Sequence, residues 1–529
     1  MRLNVSSLTL LSTSLMLGLS VFSAQAEKVV SLEQAITLAQ QNDPWLHGSR
    51  LKQSAVENRS IASGTLPDPK VSLGIMNLPT DTWDLDQEGM TQLKVGVSQM
   101  FPRGDSLKIK QEQLKIESTK FPLLREDRKA KLISQVSQLW LDAYLAQQTI
   151  KLIEADWALF EQMAEVTKAS YSNVVGKTRQ QDVIRAQLEI VQLDDRLTSQ
   201  KQKLETTIAR LNEWLHIYDA AGLNESFNFD TQPLEFRVSK KLPTIHLNNS
   251  TVLKASNYSR NLLAQELSNH PAILAIDIKR KASEKAVELA KQQYEPQWGV
   301  NASYAYRDNM PSGDSRADLF SVGVTFDLPL FTENRQDKQV AASIADSETI
   351  KTEKLLLTKQ MISMVEKELR QLKRLSDRQS IYQEQLLKQT HDQAEASLTA
   401  YTNDDGDFAE VVRARIAELN ARISALRIDV DALKTVARIN YFFAHSQSNS
   451  NAEHKSMQTS HKTNQHLSNQ QFGEKIMSTN TKTIIAIIIG AALGAGALSL
   501  YQGTGSSGNG NEATSGEKKT AVLGCTDGF

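Results

Sequence analysis

Apolar residues recur along this chain with two different periods. Steps of three and four residues run through Ile133, Val136, Trp140, Ala143, Ile150, Ile153, Trp157 and Phe160, and again through Val183, Ala186, Ile190, Leu193 and Leu197. Val412, Ile416, Leu419, Ile423, Leu426, Val430 and Leu433 repeat the pattern near the end. This is the spacing of a coiled-coil seam, and the opposing faces carry Gln, Glu, Lys, Asp and Ser. Long helices are therefore predicted over about 104–216 and 332–443. The first leg, Gly104 to Tyr171, would be roughly 100 Å long. Shorter helices are predicted over Ser31–Ala62 and Ser259–Tyr294. Ser31 caps the first, with Glu33 and Gln34 in its first turn. Pro67, Pro69 and Pro296 end these helices, because proline cannot continue them.

Between the helices the period changes to two. Val71, Leu73 and Ile75 alternate with polar or small residues, as do Leu93, Val95 and Val97. Later, Val300, Ala302, Tyr304 and Tyr306 precede Val322, Val324, Phe326 and Leu328. Hairpins are predicted over about 69–101 and 296–329. One apolar and one small or polar face over about ten residues is the pattern of a transmembrane β-barrel strand. A soluble half-buried hairpin is the alternative for any single copy. Four strands cannot close a barrel, since the smallest have about eight, and an open edge in lipid leaves backbone groups unpaired. Several chains must then share one barrel, and three would give twelve strands.

The order of elements occurs twice. Asn42-Asp43-Pro44 returns as Asn269-His270-Pro271, and VGVSQMFP ending at Pro102 returns as VGVTFDLP ending at Pro329. Tyr171-Ser-Asn-Val-Val-Gly176 returns as Tyr401-Thr-Asn-Asp-Asp-Gly406, followed by DVIRA and EVVRA. Three landmarks in one order at nearly one offset define a repeat. Residues 27–258 form the first copy and 259–445 the second. Each reads helix, strand, strand, very long helix, tight turn, helix. Glycine suits the turn because it tolerates positive φ.

Charge and cysteine content narrow the function. Sixty basic and 61 acidic residues give a net charge of −1, which does not suggest a nucleic-acid partner. The one cysteine, Cys525, excludes an internal disulfide framework. No phosphate loop, nucleophile elbow or His/Cys cluster occurs in the body, so neither an enzyme nor a cofactor or metal site is predicted. Residues 1–26 read as a secretory signal: Arg2, an apolar core over Leu8–Phe22, and Ala24-Gln25-Ala26 for cleavage. No cysteine follows that site, so no lipid is predicted on the mature N-terminus. Residues 446–476 have a disordered composition. An apolar, Gly/Ala-rich stretch within 483–501 is long enough to enter a bilayer.

The order of elements, the DVIRAQ and EVVRAR stretches and the duplicated turns resemble the TolC-like outer-membrane factors of tripartite efflux pumps. The resemblance covers residues 27 to about 445. TLPDPKVSLG at 65–74, the Asn-x-Pro helices and the FP and LP-F corners look most like the heavy-metal subgroup. It implies a mostly α fold with a β-barrel part: a homotrimer, a twelve-stranded barrel in outer-membrane lipid, and a helical periplasmic tunnel. A periplasmic adaptor and an RND-type inner-membrane pump would be its partners, and the chain a passive conduit, with heavy-metal ions as the expected cargo. A drug-efflux or type I secretion channel would be built identically. A purely structural periplasmic coiled coil is a further alternative. Residues 477–519 resemble the start of such an adaptor. The final AVLGCTDGF can be encoded so that a one-base shift spells LYWVAPMD, an adaptor's usual continuation, so a gene junction with a frameshift is expected. A genuine C-terminal anchor is the alternative, against which Lys482 would face the periplasm.

In that family, acidic residues just past the helix turn ring a closed periplasmic aperture. The matching positions are Asp182 and Glu410, with Arg185 and Arg413 three residues on. Such spacing places carboxylate and arginine on one helix face. The plainer reading is an exposed intrahelical pair of well under ~1 kcal/mol. Asp404, Asp405 and Asp407 around Gly406 would form an acidic tip ring favouring cations, although Asp is common in solvated turns. Tyr171, Asn173, Gly176, Tyr401, Asn403 and Gly406 mark the helix turns where an adaptor would dock.

Overall fold

A computed structural model describes residues 28–172, 179–215, 236–248, 259–403 and 405–444. The signal segment, Asn173, Gly176, Asp404 and the whole region from His445 onward lie outside the described residues. The first copy contributes β1 (Lys28–Val30), α1 (Leu32–Asn42), α2 (Pro44–Ser63), β2 (Lys70–Met76), β3 (Gln92–Phe101), α3 (Ser106–Ser118), α4 (Lys120–Ser172), α5 (Gln180–Leu215) and β4 (Phe236–Val238). The second contributes α6 (Arg260–Leu267), α7 (Pro271–Lys291), β5 (Trp298–Tyr306), β6 (Leu319–Phe326), α8 (Gln336–Ile381), α9 (Leu387–Thr402) and α10 (Phe408–Phe442). A π turn over Tyr382–Leu386 joins α8 to α9. The fold is mostly helical with one four-stranded sheet, as the two periods predict.

Three expected helices are interrupted, each at a proline. The Ser31–Ala62 helix is two helices, because Pro44 opens α2 and Asp43 caps it, accepting from the Trp45 N–H. The Ser259–Tyr294 helix breaks likewise, with Pro271 opening α7 and His270 as cap. The repeat landmark is thus a capped break in both copies. The leg expected from Gly104 to Tyr171 breaks at Thr119, between α3 and α4. Pro122 explains this: it has no N–H to donate to the Ser118 carbonyl, and its ring crowds that carbonyl. Gly104 itself sits at φ +42°, turning the chain before α3 starts. A Cβ there would collide with the Gln292 side chain. The 53 residues of α4 still span roughly 80 Å. The capping box of α1 forms as expected, Gln34 N–H donating to Ser31 Oγ at 3.2 Å and Ser31 N–H to Gln34 Oε1 at 3.0 Å.

The sheet is antiparallel throughout, in the order β2-β3-β5-β6, so β3 and β5 join the two copies. Its register aligns the alternation of all four strands. Leu73 faces Val95, which faces Tyr304, which faces Phe320; Val71, Val97, Ala302 and Val322 form the next row. The neighbouring positions on the other face are Ser72, Gly96, Ser303 and Ser321. Among the described residues no helix covers the apolar face: Leu73 is 76% exposed and Val322 63%. Aromatic residues gather at both ends of it. Trp298 stacks on Phe101 at 4.4 Å beside Phe326, while Tyr304, Tyr306 and Phe320 lie at the far end. At the near corner Arg103 pairs with Asp327 and donates to the Glu295 carbonyl at 2.7 Å. That side chain fixes how strands of both copies meet their helices.

The core runs lengthwise between helices. One cluster surrounds Trp140, whose Nε1–H donates to the Val30 carbonyl at 3.0 Å under the short parallel pair β1–β4. A second joins α6, α8 and the end of α10 through Leu263, Leu267, Val365 and Ile439. A third joins α4, α5 and α10 through Ile153, Leu193, Phe408 and Leu419. Helix α10 contacts α4, α8 and α9 and is buried along most of its length.

The Asp43 carboxylate does two jobs. It caps α2, and it pairs with Arg128 of α4 at 2.8 Å, whose guanidinium lies 5.9 Å from the Trp45 ring and 5.5 Å from the Trp214 ring. Asp43→Ala should therefore cost about 2 kcal/mol, the cap and the charge-assisted bond together. A lowered thermal midpoint of the detergent-purified protein would report it. Asp43→Asn keeps the cap and should lose roughly half as much.

Candidate functional site

The duplicated motif follows α4 in the first copy and α9 in the second. Tyr171 lies exposed in the last turn of α4, and Asn173 and Gly176 follow outside the described residues. In the second copy, Tyr401 closes α9 and its ring meets Phe408 edge-on at 5.6 Å. Asn403 is the C-cap of α9, its N–H bonded to the Thr399 carbonyl, and the Asp405 N–H returns to the Ala400 carbonyl at 3.0 Å. Gly406 is needed here for a different reason from the one expected. Its φ is not among the positive values. A Cβ would instead lie 2.7 Å from the Tyr401 nitrogen and 2.9 Å from the Ala400 carbonyl carbon. The turn is closed by backbone approach that only glycine permits.

Asp407 is the N-cap of α10, accepting from the Ala409 N–H at 3.2 Å, and both Asp405 and Asp407 are exposed. Asp182 and Glu410 each occupy the third helical position of their helix. A carboxylate in a first turn is favoured by the free N–H groups there. Asp182 is buried and reaches back to the Arg179 N–H at 2.9 Å, whereas Glu410 is exposed. The expected pairs with Arg185 and Arg413 do not form within the chain. Arg185 is exposed, and Arg413 Nε donates to the Ala409 carbonyl at 3.1 Å. Neither arginine is in an ion pair among the described residues. Capping takes Asp182 out of reach, since a buried carboxylate held by a backbone N–H points back along the turn.

A charged network higher up the second hairpin escaped the sequence reading. His391 Nδ1 of α9 lies 2.8 Å from Glu418 Oε1 of α10, and Arg415 bridges Glu418 at 3.0 Å and Glu395 at 2.7 Å. Further along, Arg422 pairs with Asp156, Lys434 with Asp142 at 2.6 Å, and Arg438 with Glu368 at 2.7 Å. These bases tie α10 to α4, α8 and α9. The seven-residue spacing of Arg415 and Arg422, on a helix whose seam is otherwise apolar, was the available signal. The Glu418 hydrogen bond, with its charge, raises His391 above the usual imidazole range. Burial pushes Glu418 up, but bonds from His391 and Arg415 more than offset it and hold the carboxyl low.

Among the described residues no three His, Cys, Asp or Glu side chains could hold a metal ion, and no helix is long and apolar enough to cross a membrane.

The tight approach at Gly406 has a direct test. Gly406→Val should force the α9–α10 turn open and loosen the Tyr401–Phe408 contact, leaving the distant sheet unchanged. Limited proteolysis should then cut near 401–408 faster, with the same circular dichroism.

No family model and no curated protein sequence matches the chain. Solved structures do. The CmeC outer-membrane channel of Campylobacter jejuni aligns with a TM-score of 0.61 at 13% identity, over 82% of this chain and 90% of that one. The outer-membrane protein VceC of Vibrio cholerae aligns at 0.59 and 14%, over 78% and 95%. The MtrE outer-membrane channel of Neisseria gonorrhoeae, in its open state, aligns at 0.59 and 13%, over 78% and 88%. The likeness extends over most of each chain at very low identity. The chain has the fold of the TolC-like outer-membrane channels.

Proposed function

We propose that the protein is the outer-membrane channel of a tripartite efflux pump, a passive conduit rather than an enzyme. The observation that carries this reading is the sheet: one continuous apolar face, aromatic at both ends, that no described residue covers. Its outer strands, β2 and β6, have no partner on their far sides among the described residues. In lipid those backbone groups need partners. Because β2 and β6 run in opposite directions, β6 of one copy can pair antiparallel with β2 of the next. Three copies give a closed twelve-stranded barrel. The stripe Ile184, Leu188 and Val191 on α5, exposed in one chain, supports side-by-side packing of the helices as well.

Within such a trimer the two helix turns lie at the periplasmic end and offer an adaptor its docking surface, with an RND-type pump below. Arg185 and Arg413, in no ion pair among the described residues, would reach carboxylates of neighbouring copies and hold the aperture narrow. Asp182 and Glu410 stand in each first turn, and Asp404, Asp405 and Asp407 add a ring that favours cations. The TLPDPKVSLG stretch and the proline corners support metal ions as the cargo.

Three experiments test the reading. Val97→Arg on the apolar face, in the row between the two aromatic ends, should prevent detergent-extractable trimers from forming, since arginine at mid-bilayer costs about 2–4 kcal/mol. Ser72→Arg on the opposite face should be tolerated. A stable detergent-free monomer in the wild type would refute the shared barrel. Replacing Arg185 and Arg413 together by Gln should raise single-channel conductance in planar bilayers, and Asp405→Asn with Asp407→Asn should reduce cation preference. Deleting the gene should sensitise cells to metal salts rather than to drugs.

A further inference from the structure

The second hairpin carries a charged bridge that the first lacks. His391 Nδ1 meets Glu418 Oε1 at 2.8 Å, joining α9 to α10, while Arg415 links Glu418 to Glu395. The His391 side chain is 57% exposed, and that of Glu418 only 11%. Water can therefore deliver a proton to the imidazole, while the carboxylate it would pair with is held away from bulk solvent. Three carboxylates bear on His391: Glu418, Glu395 and Asp392. Arg415 is the guanidinium engaged with two of them. Arg422, also near Glu418, is committed to Asp156 of α4. The site is short of positive charge, which a protonated His391 supplies.

The duplication sharpens the point. Counting from the shared tyrosine, His391 corresponds to Glu161 and Glu395 to Glu165; counting from the shared carboxylate, Arg415 corresponds to Gln187 and Glu418 to Ile190. Ile190 packs into the apolar seam with Ile153 and Leu193. The frame is common to both hairpins, and the histidine–carboxylate link exists in one.

We propose that His391 and Glu418 form a proton-responsive brace that stiffens the α9–α10 hairpin, and not α4–α5, when the surrounding water turns acid. The consequence for conduction, a more rigid second hairpin at the channel's end, rests on the channel reading above; the brace does not. His391 is raised in the folded protein, so its contribution is complete below the ordinary imidazole value of 6.5 and fades as pH rises through the raised one. Glu418 is lowered, so its contribution holds above the ordinary value of 4.5 and fades as pH falls through the lowered one. The brace is tightest between these limits.

Amide hydrogen exchange of the full-length, detergent-purified protein tests it, at about pH 5.5 and about pH 7.5 with intrinsic rates corrected. Peptides from 387–402 should exchange about threefold more slowly at the lower pH, and peptides from 158–172 should not change. His391→Gln, a surface substitution, should remove the difference in 387–402, as should Glu418→Gln. A wild-type protein with no difference, or a His391→Gln protein that keeps it, would overturn the proposal. Because exchange is read without any current, a protein that conducts nothing would overturn the channel reading and leave the brace standing.

Discussion

The apolar face of the four-stranded sheet has nothing among the described residues to pack against, and this constraint shapes the molecule. Strand side chains alternate with a period of two, so a slip of one residue between any two strands would scatter the apolar row over both faces. The register from Leu73 through Val95 and Tyr304 to Phe320 avoids that across all three pairings. Holding it requires the hairpins to enter the sheet at fixed heights. The corner provides this: Arg103 reaches Asp327 and the Glu295 carbonyl, Gln292 accepts the Asp105 N–H, and Gly104 turns where no side chain would fit. Residues of both copies meet there, so the duplication is fused at the sheet and again along α10.

Much of this was legible in the sequence because it depends on periodicity. The alternation of β2, β3, β5 and β6 and the seams of α4, α5 and α10 need no tertiary knowledge to read. The prolines are less legible. Pro44 and Pro271 mark the repeat, yet each is also a capped helix start, and Pro122 sits inside an otherwise unbroken helical pattern. Strands β1 and β4 pair in parallel across more than 200 residues of sequence, and three residues each is too short for alternation to show. Their place is set by Trp140 and Gln147, which donate to carbonyls of those strands.

The turn residues divide along the same line. Glycine at the Tyr-x-Asn-x-x-Gly turn was legible, while its reason was not, because the close approach of Ala400 and Tyr401 to Gly406 is a property of the folded turn. Asp182 and Arg185 share a helix face by spacing, but spacing does not reveal that the carboxylate is already spent on the Arg179 N–H. The His391–Glu418 contact joins two helices across the turn, and no pattern along one helix contains it.

Duplication gave this chain two hairpins on one plan, and their ends have since parted chemically. The frame is kept wherever backbone geometry demands it: the capped proline breaks, the carboxylate at the third position of α5 and α10, the Arg and Ala that follow. Divergence falls on side chains the frame leaves free. Asp182 is one methylene shorter than Glu410 and folds back into its helix end, while Glu410 extends into solvent. Ile190 adds to an apolar seam where Glu418 recruits His391 and Arg415. An apolar contact is indifferent to pH, whereas an ionic one responds to pH and is screened by salt. Two hairpins built on one plan therefore differ in what can loosen them.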